Sequence, residues 1–181
     1  MRLDDKTGVI DIAEYIASPN CDEREDHTDP WVIIIHCISL PPGEYGGSEV
    51  VDFFTNKLDE NSHPYFKEIK HLTVSAHFFI TREGKLVQFV PTHQRAWHAG
   101  ESYCLGEPKV NDFSVGIELE GLDTATDGFT DTQYKTLTEL IGCLQAVYPE
   151  IKTNNIFAHS DIAIGRKTDP GACFDWQRIY V

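Results

Sequence analysis

The stretch Trp31-Val32-Ile33-Ile34-Ile35-His36 is a short apolar run that ends in a histidine. Its β-branched side chains are typical of a buried strand. The same arrangement returns in Asn155-Ile156-Phe157-Ala158-His159, where a second apolar run delivers a second histidine. Active-site groups favour such strand ends, because the strand positions them and the following loop is open to solvent. The two runs predict a sheet with functional groups where its strands end.

The residues after His159 suggest a metal site. Asp161, Lys167 and Asp169 follow within one short segment. Two histidines and one carboxylate suit Zn²⁺, and three protein ligands leave a fourth position open for water, as in catalytic sites. His159 and Asp169 would supply two of these ligands, and His36 is the best candidate for the remaining histidine ligand. The alternative is that each histidine is an ordinary hydrogen-bonded residue at a strand end.

A third strand is predicted from Ser114 to Leu119, and it carries a glutamate. Val115, Ile117 and Leu119 would share one face of this strand, which leaves Glu118 and Glu120 on the other. A carboxylate within an apolar strand is costly to desolvate unless it is paired or neutral. Glu118 is therefore a candidate for proton transfer with a raised pKa. The alternative is an exposed face on which both glutamates are solvated.

The remaining pattern predicts an α/β fold. Thr130 to Tyr148 is the clearest helix, with a capping box at its start and Pro149 after it. Shorter elements are predicted around it: a helix that begins at Ser48 and ends at Phe54 or at Lys57, a second short helix at 63–70, and a hairpin of strands 72–81 and 85–90. We expect a single domain over 1–181, with a mixed central β-sheet flanked by helices, a core at about 29–176 and a polar segment at 1–28.

Composition limits the classes of partner. The 181 residues carry a formal charge of −14, which argues against nucleic acid or an anionic membrane as a partner. No apolar signal-peptide core or membrane-spanning run is found, and five scattered cysteines suggest reduced thiols, so we expect a cytoplasmic protein. Some basic residues could make the cleft locally positive, or could be ordinary surface charges: Arg95, Lys109, Arg166 and Lys167.

Five separated motifs, in this order, closely resemble the zinc-dependent N-acetylmuramoyl-L-alanine amidases. They are Ile34-Ile35-His36, Val74-Ser75-Ala76-His77, Ala96-Trp97-His98-Ala99-Gly100, Asn111 to Gly121 and His159 to Gly171. The resemblance covers about Asp29 to Trp176, and it is strongest to the cytoplasmic 1,6-anhydro-N-acetylmuramoyl-L-alanine amidases of cell-wall recycling. It implies hydrolysis of the amide bond between the lactyl group of (1,6-anhydro-)N-acetylmuramic acid and L-alanine. The substrate would be a small soluble muropeptide, and we expect a monomer.

The resemblance also implies roles for individual residues. His36, His159 and Asp169 would bind Zn²⁺. Glu118 would take a proton from the attacking water and pass it to the leaving amine. Lys167 would stabilise the negative charge that develops on the carbonyl oxygen.

Further residues are predicted to act around this centre. Substrate contacts are expected from Ala96, Trp97, His98 and Lys109. Asp161 and His77 would support the metal ligands without binding the ion. For Asp161 the alternative is a simple turn aspartate, and His77 would lie inside the strand that begins at Leu72.

Two departures from the family pattern concern the substrate. Cys37 stands where relatives tend to have Asn, and Thr73 where they tend to have Arg. Contacts with sugar and peptide are therefore expected to be rearranged. Two alternative functions are a peptidoglycan-binding protein that has lost catalysis and an amidase that acts on polymeric cell wall. The first would lack metal ligands that this chain keeps, and the second would need export or a wall-binding region.

Overall fold

A computed structural model describes residues 1–25, 28–126 and 128–179. Its elements, in chain order, are β1 (Leu3–Asp4), β2 (Val9–Ile10), β3 (Glu14–Tyr15), β4 (Cys21–Glu23), β5 (Val32–Ile38), α1 (Glu49–Phe54), α2 (Pro64–Ile69), β6 (Phe78–Ile80), β7 (Leu86–Gln88), β8 (Gln94–Ala96), β9 (Tyr103–Cys104), β10 (Glu107–Pro108), β11 (Ser114–Glu120), α3 (Asp131–Val147), β12 (Ile156–Ala158) and α4 (His159–Ile162). Short 3₁₀ turns occupy Val110–Phe113, Thr153–Asn155 and Trp176–Arg178.

Six strands form the central sheet, in the order β12-β5-β11-β6-β7-β3. The strands from β12 to β6 are parallel, β7 is antiparallel to β6, and β3 is parallel to β7. The predicted mixed sheet flanked by helices is confirmed. Because β12, β5 and β11 run in one direction, their carboxyl ends meet at one edge of the sheet, where ligands bind in open α/β sheets.

Strand β5 separates two layers of the core. Ile33 and Ile35 pack on the side of α3, in a cluster that includes Leu137 and Leu140 of that helix. Val32 and Ile34 pack on the opposite face, with residues of the 99–113 segment. Side chains alternate along a strand, so His36 follows Val32 and Ile34 on that opposite face.

Helix α3 begins with the predicted capping box. The Thr130 hydroxyl accepts a hydrogen bond from the Gln133 amide, and the Gln133 side chain accepts one from the Thr130 amide. Both bonds satisfy amide groups that the first turn leaves without partners. Within the described residues, the helices are too short or too polar to cross a membrane.

The hairpin strand predicted at 72–81 is shorter in the structure. Only Phe78–Ile80 pairs in the sheet, so His77 precedes the strand. The residues before it bond individually to loops: the Ser75 amide donates to Trp97 O, and the Ser75 hydroxyl donates to Asn20 O. Alternating apolar residues predicted the strand, but these loop partners replace a continuous ladder.

The amino-terminal segment is more ordered than predicted. The prediction described residues 1–28 only as a polar segment, whereas the strands β1 to β4 form within residues 1–25. Leu3 and Ile10 are buried in the core beside α3. Strand β4 pairs with β8, which lies more than seventy residues further along the chain. Pairing with so distant a partner leaves no local sequence signal.

Candidate active site

The register of the parallel strands brings the predicted functional residues together. Glu118 of β11 pairs directly with His36 of β5, so both side chains point to the same face. On the other side of β5, Ala158 pairs with Ile35, and His159 follows as the first residue of α4. We predicted a loop at His159, but a short helical turn begins there. It is stabilised by the Asp161 carboxylate, which accepts a hydrogen bond from the Ala158 amide.

Three side chains converge at this edge of the sheet. The Nδ1 atoms of His36 and His159 lie 2.9 Å apart. Asp169 Oδ2 lies 3.2 Å from the first and 3.1 Å from the second. Two ligand atoms of a tetrahedral zinc ion are about 3.3 Å apart, which is close to these distances. Within the described residues, this is the group of histidine, cysteine and acidic side chains whose geometry could hold an ion.

The protonation states of the two imidazoles favour a cation. His159 Nε2 lies 3.2 Å from Ala99 O, which can only accept a hydrogen bond. Nε2 therefore carries a proton, and in the neutral ring the lone pair of Nδ1 is directed at His36 and Asp169. Burial lowers the pKa of His36 to about 4, so this imidazole is neutral at neutral pH, as a metal ligand must be. Lone pairs beside the Asp169 carboxylate would repel one another unless a cation lay between them.

Glu118 is buried without full compensation. Its side chain is only 8 % exposed. Its Oε2 atom is buried, and it has no hydrogen-bond partner among the described residues. Burial raises the pKa of Glu118 well above the ordinary value of 4.5, the charge of Asp169 adds to the increase, and Lys167 opposes it. The alternative of a solvated strand face is wrong, since both Glu118 and Glu120 are buried.

A cleft of about 360 Å³ opens over these groups. One wall is apolar and includes Phe53, Tyr65 and Val74. The segment between His159 and Asp169 also lines the cleft, and it contributes Arg166 and Lys167. The cleft over the convergent histidines therefore combines apolar side chains with two basic residues and with acidic ones that include Asp123.

The other predicted basic residues lie outside this cleft. Arg95 forms ion pairs with Asp22 and Asp112. Lys109 is exposed, and its Nζ lies 3.2 Å from Glu25 Oε1. Of the four basic residues, only Arg166 and Lys167 are among the described residues that line the cleft.

Ala96 and Trp97 do not line the cleft either, although we predicted substrate contacts from both. Ala96 is fully buried in the cluster beneath α1 and α2. Trp97 donates a hydrogen bond from Nε1 to Asp22, 3.1 Å away. Their motif resembles that of the family, but these two side chains pack on the β4–β8 side of the loop. Of the three residues Ala96 to His98, only His98 lines the cleft.

His98 also contacts a predicted metal ligand. Its Nδ1 lies 3.0 Å from His36 Nε2. Its Nε2 lies 3.2 Å from the Ser114 hydroxyl. Both nitrogens therefore have partners inside the protein, an arrangement that differs from a histidine free to bind substrate.

The two residues predicted to support the ligands have well-defined partners. His77 donates from Nε2 to Gln94 O, 3.0 Å away, and accepts at Nδ1 from the Gly116 amide, also at 3.0 Å. Burial, with a smaller contribution from the charge of Arg24, lowers the pKa of His77 to about 3, so the ring is neutral. Asp161 is exposed, and its carboxylate contacts the backbone just before His159. That contact fits the alternative of a turn aspartate better than a direct contact with a ligand.

Sequence reasoning missed the backbone around His98. Asn111 Oδ1 accepts hydrogen bonds from the His98 amide at 3.3 Å and the Ala99 amide at 2.8 Å. Gly116 lies against the His98 ring, since a Cβ there would be 2.5 Å from its Cγ. A lone glycine within a strand of branched residues is a sequence signal of close approach, and it could have been used.

The departures at Cys37 and Thr73 fall in different environments. Cys37 lines the cleft while packing partly against the α3 side of the core. Burial raises the pKa of its thiol, and the charge of Glu118 adds to the increase, so Cys37 stays protonated and is a poor metal ligand. Thr73 is exposed.

Comparison with known proteins agrees with this geometry. Residues 26–172 match the N-acetylmuramoyl-L-alanine amidase family. The chain is 49% identical over 179 residues to the 1,6-anhydro-N-acetylmuramyl-L-alanine amidase AmpD of Citrobacter freundii, covering 99% of this chain and 93% of the relative. A crystal structure of a selenomethionine AmpD derivative superimposes with a TM-score of 0.94 at 49% identity, covering 99% of this chain and 97% of the other.

A substrate complex of a more distant relative has the same fold. It is the E. coli amidase AmiD with anhydro-N-acetylmuramic acid-L-Ala-D-γ-Glu-L-Lys, at a TM-score of 0.60 and 27% identity, covering 88% of this chain and 64% of that one. The match to the family extends over most of the sequence and includes all five motifs from which the resemblance was inferred. This chain belongs to the N-acetylmuramoyl-L-alanine amidase family.

Proposed function

We propose that this protein hydrolyses the amide bond between the lactyl group of 1,6-anhydro-N-acetylmuramic acid and L-alanine in muropeptides released during peptidoglycan recycling. The observation that carries the proposal is the convergence of His36, His159 and Asp169 beside the uncompensated carboxylate of Glu118 in an open cleft. The likeness to AmpD over nearly the whole chain supports this choice of substrate. Anhydromuropeptides are small and soluble, which suits the cleft and a monomeric, cytoplasmic enzyme.

His36, His159 and Asp169 are the residues that would hold zinc. Their donor set of two imidazoles and one carboxylate fits a catalytic zinc site. The family depends on zinc in general, and the convergent lone pairs of this chain fit a divalent cation. When bound, zinc would lower the pKa of a coordinated water and polarise the carbonyl of the scissile amide.

Glu118 is suited to move the proton. Its carboxylate shares a face with His36, because the two residues pair across neighbouring parallel strands. Its raised pKa brings it nearer to the working pH, which favours both acceptance and release of a proton. We assign to it removal of a proton from the attacking water and delivery of that proton to the departing amine of L-alanine.

Lys167 is suited to stabilise developing charge. It lines the cleft near Glu118 and His36. Its charge lowers the pKa values of both residues. An ammonium group placed there would favour the negative charge that develops on the carbonyl oxygen, an effect worth a few kcal/mol in preorganised sites. Arg166 beside it donates hydrogen bonds to Ala99 O and Glu101 O, both at 2.6 Å, and so fixes the wall.

The test compares two substrates. Zinc-loaded protein is incubated with soluble anhydromuropeptides and, separately, with intact sacculi, and the products are identified by mass spectrometry. We expect free peptide from the soluble substrate only. Release from sacculi would indicate an amidase of polymeric wall. No release from either substrate, by protein that contains one zinc per chain, would indicate a binding protein.

A further inference from the structure

The His98-Ala99 dipeptide faces both histidines of the proposed metal site. His98 Nδ1 lies 3.0 Å from His36 Nε2, and Ala99 O lies 3.2 Å from His159 Nε2. One short segment therefore contacts, in each imidazole, the nitrogen that points away from Asp169. Asn111 Oδ1 holds this segment in place by accepting hydrogen bonds from the backbone amides of both residues.

The donors and acceptors in the series of hydrogen bonds from His36 through His98 to Ser114 can be assigned in only one way. The Ser114 hydroxyl lies 2.6 Å from Val110 O, which has no proton to give, so the hydroxyl donates there. With its proton used, Ser114 Oγ accepts from His98 Nε2 at 3.2 Å. His98 Nδ1 must then be an acceptor, and His36 Nε2 must donate to it. This leaves the Nδ1 lone pair of His36 directed at Asp169 and His159.

The structure makes room for this chain of hydrogen bonds. A Cβ on Gly116 would lie 2.5 Å from Cγ, 2.6 Å from Nδ1 and 2.7 Å from Cδ2 of His98. Real Cβ atoms do not approach ring atoms so closely, so any other residue at this position would displace the imidazole. The φ angle of Gly116 is not in the left-handed region, so the close approach is what requires glycine.

We propose that His98 is a positioning residue: through Ser114 it fixes the tautomer and the ring orientation of His36, so that His36 Nδ1 is presented as a metal ligand. The inference rests on the proposed function, and it replaces the substrate contact that the sequence suggested for His98. Groups that orient a metal ligand in this way commonly change metal affinity 10–100-fold when they are removed.

The first measurement uses the unaltered, metal-free protein. Long-range ¹H–¹⁵N correlation of the imidazole nitrogens reports which nitrogen of each histidine carries the proton. We expect the proton on Nε2 in both His36 and His98. A proton on Nδ1 of His36 would contradict the proposal without bearing on whether the enzyme cleaves muropeptides.

The second measurement is zinc affinity, by competition with a chelator, in five variants. His98→Ala removes the acceptor and should raise the zinc dissociation constant about 10–100-fold. His98→Asn keeps an acceptor near the position of Nδ1 and should recover most of the affinity. Gly116→Ala should resemble His98→Ala, and Ser114→Ala should show a smaller loss. His71→Ala, at an exposed histidine, is the matched control and should bind zinc normally.

The outcomes separate this role from others. A folded His98→Ala protein that binds zinc as tightly as the unaltered enzyme, but has a raised KM, would return His98 to substrate binding. If His98→Ala does not fold, the proposal is still tested by the tautomer measurement on the unaltered protein. It is also tested by the zinc affinities of His98→Asn, Gly116→Ala and Ser114→Ala. Failure of the unaltered protein to bind zinc or cleave substrate would instead count against the proposed function.

Discussion

Glu118 and Glu120 lie two residues apart on the same face of β11, yet their surroundings differ. Glu120 Oε1 accepts a hydrogen bond from the Gly46 amide at 2.5 Å, and its Oε2 accepts one from the Arg82 amide at 2.8 Å. Glu118 has a buried oxygen with no hydrogen-bond partner among the residues that the structure describes. One carboxylate joins two loops to the sheet, whereas the other is held at a cost in free energy of folding. Burial alone therefore does not distinguish the two carboxylates, whereas their hydrogen bonding does.

The largest expected effect is on catalysis at Glu118. Glu118→Gln keeps the shape of the side chain but cannot accept the proton, so kcat/KM should fall about 10³-fold. Zinc affinity should remain near that of the unaltered protein. The check is steady-state kinetics on an anhydromuropeptide, with metal content measured in parallel. Activity close to normal would remove the distinction between the two glutamates.

Lys167 tests the electrostatic side of the same contrast. Lys167→Met should lower kcat/KM about 10²-fold, because a preorganised cation is lost from the transition state. Lys167 also opposes the increase in the pKa of Glu118 that burial causes. Its removal should therefore move the acidic limb of the pH–rate profile to higher pH. An unshifted limb would show that Lys167 and Glu118 do not interact.

Glu120 should affect stability. Glu120→Gln replaces one acceptor with an amide NH₂ that faces a backbone donor, so unfolding free energy should fall by about 1–3 kcal/mol. Chemical denaturation monitored by circular dichroism measures this change. The remaining activity should exceed that of Glu118→Gln by a wide margin. A variant that is stable but inactive would mean that Glu120 acts in the reaction.

The smallest expected effect is the pH dependence of stability at Glu118. Because the pKa of Glu118 is raised on folding, the metal-free folded protein binds this proton more tightly than the unfolded chain does. The stabilisation is complete at pH values below the unfolded pKa and is lost as pH rises toward the folded pKa. Metal-free Glu118→Gln should therefore be about 1 kcal/mol more stable than the unaltered protein at pH 7, with the difference reduced near pH 4. Denaturation at both pH values checks the sign.

The sequence was most informative where a local pattern and a side chain coincide. The apolar runs before His36 and His159 predicted two strands, and the structure places both histidines beside Asp169. The predicted faces of β11 hold as well, since Val115, Ile117 and Leu119 pack with α3. In these cases neighbouring residues contain the whole signal. The assigned roles of Glu118 and Lys167 stay predictions until they are measured.

Residues whose partners are distant in the chain were harder to predict. His98 was assigned to substrate because its loop resembles a binding motif, but its ring contacts His36, 62 residues earlier. Lys109 and Trp97 were expected at the cleft, whereas acidic residues of the amino-terminal segment hold both. The partners of these side chains depend on which loops meet in space. The periodicity of the sequence does not indicate which loops meet.

The position of β12 has a consequence for the coherence of the fold. It is one of the two edge strands of the six-stranded sheet, and it pairs with β5 through three residues, Ile156 to Ala158. The histidine directly after it meets one that lies 123 residues earlier on the adjoining strand. A cation bound by both histidines would link this short edge strand to its neighbour in the interior of the sheet, and it would oppose fraying of that edge.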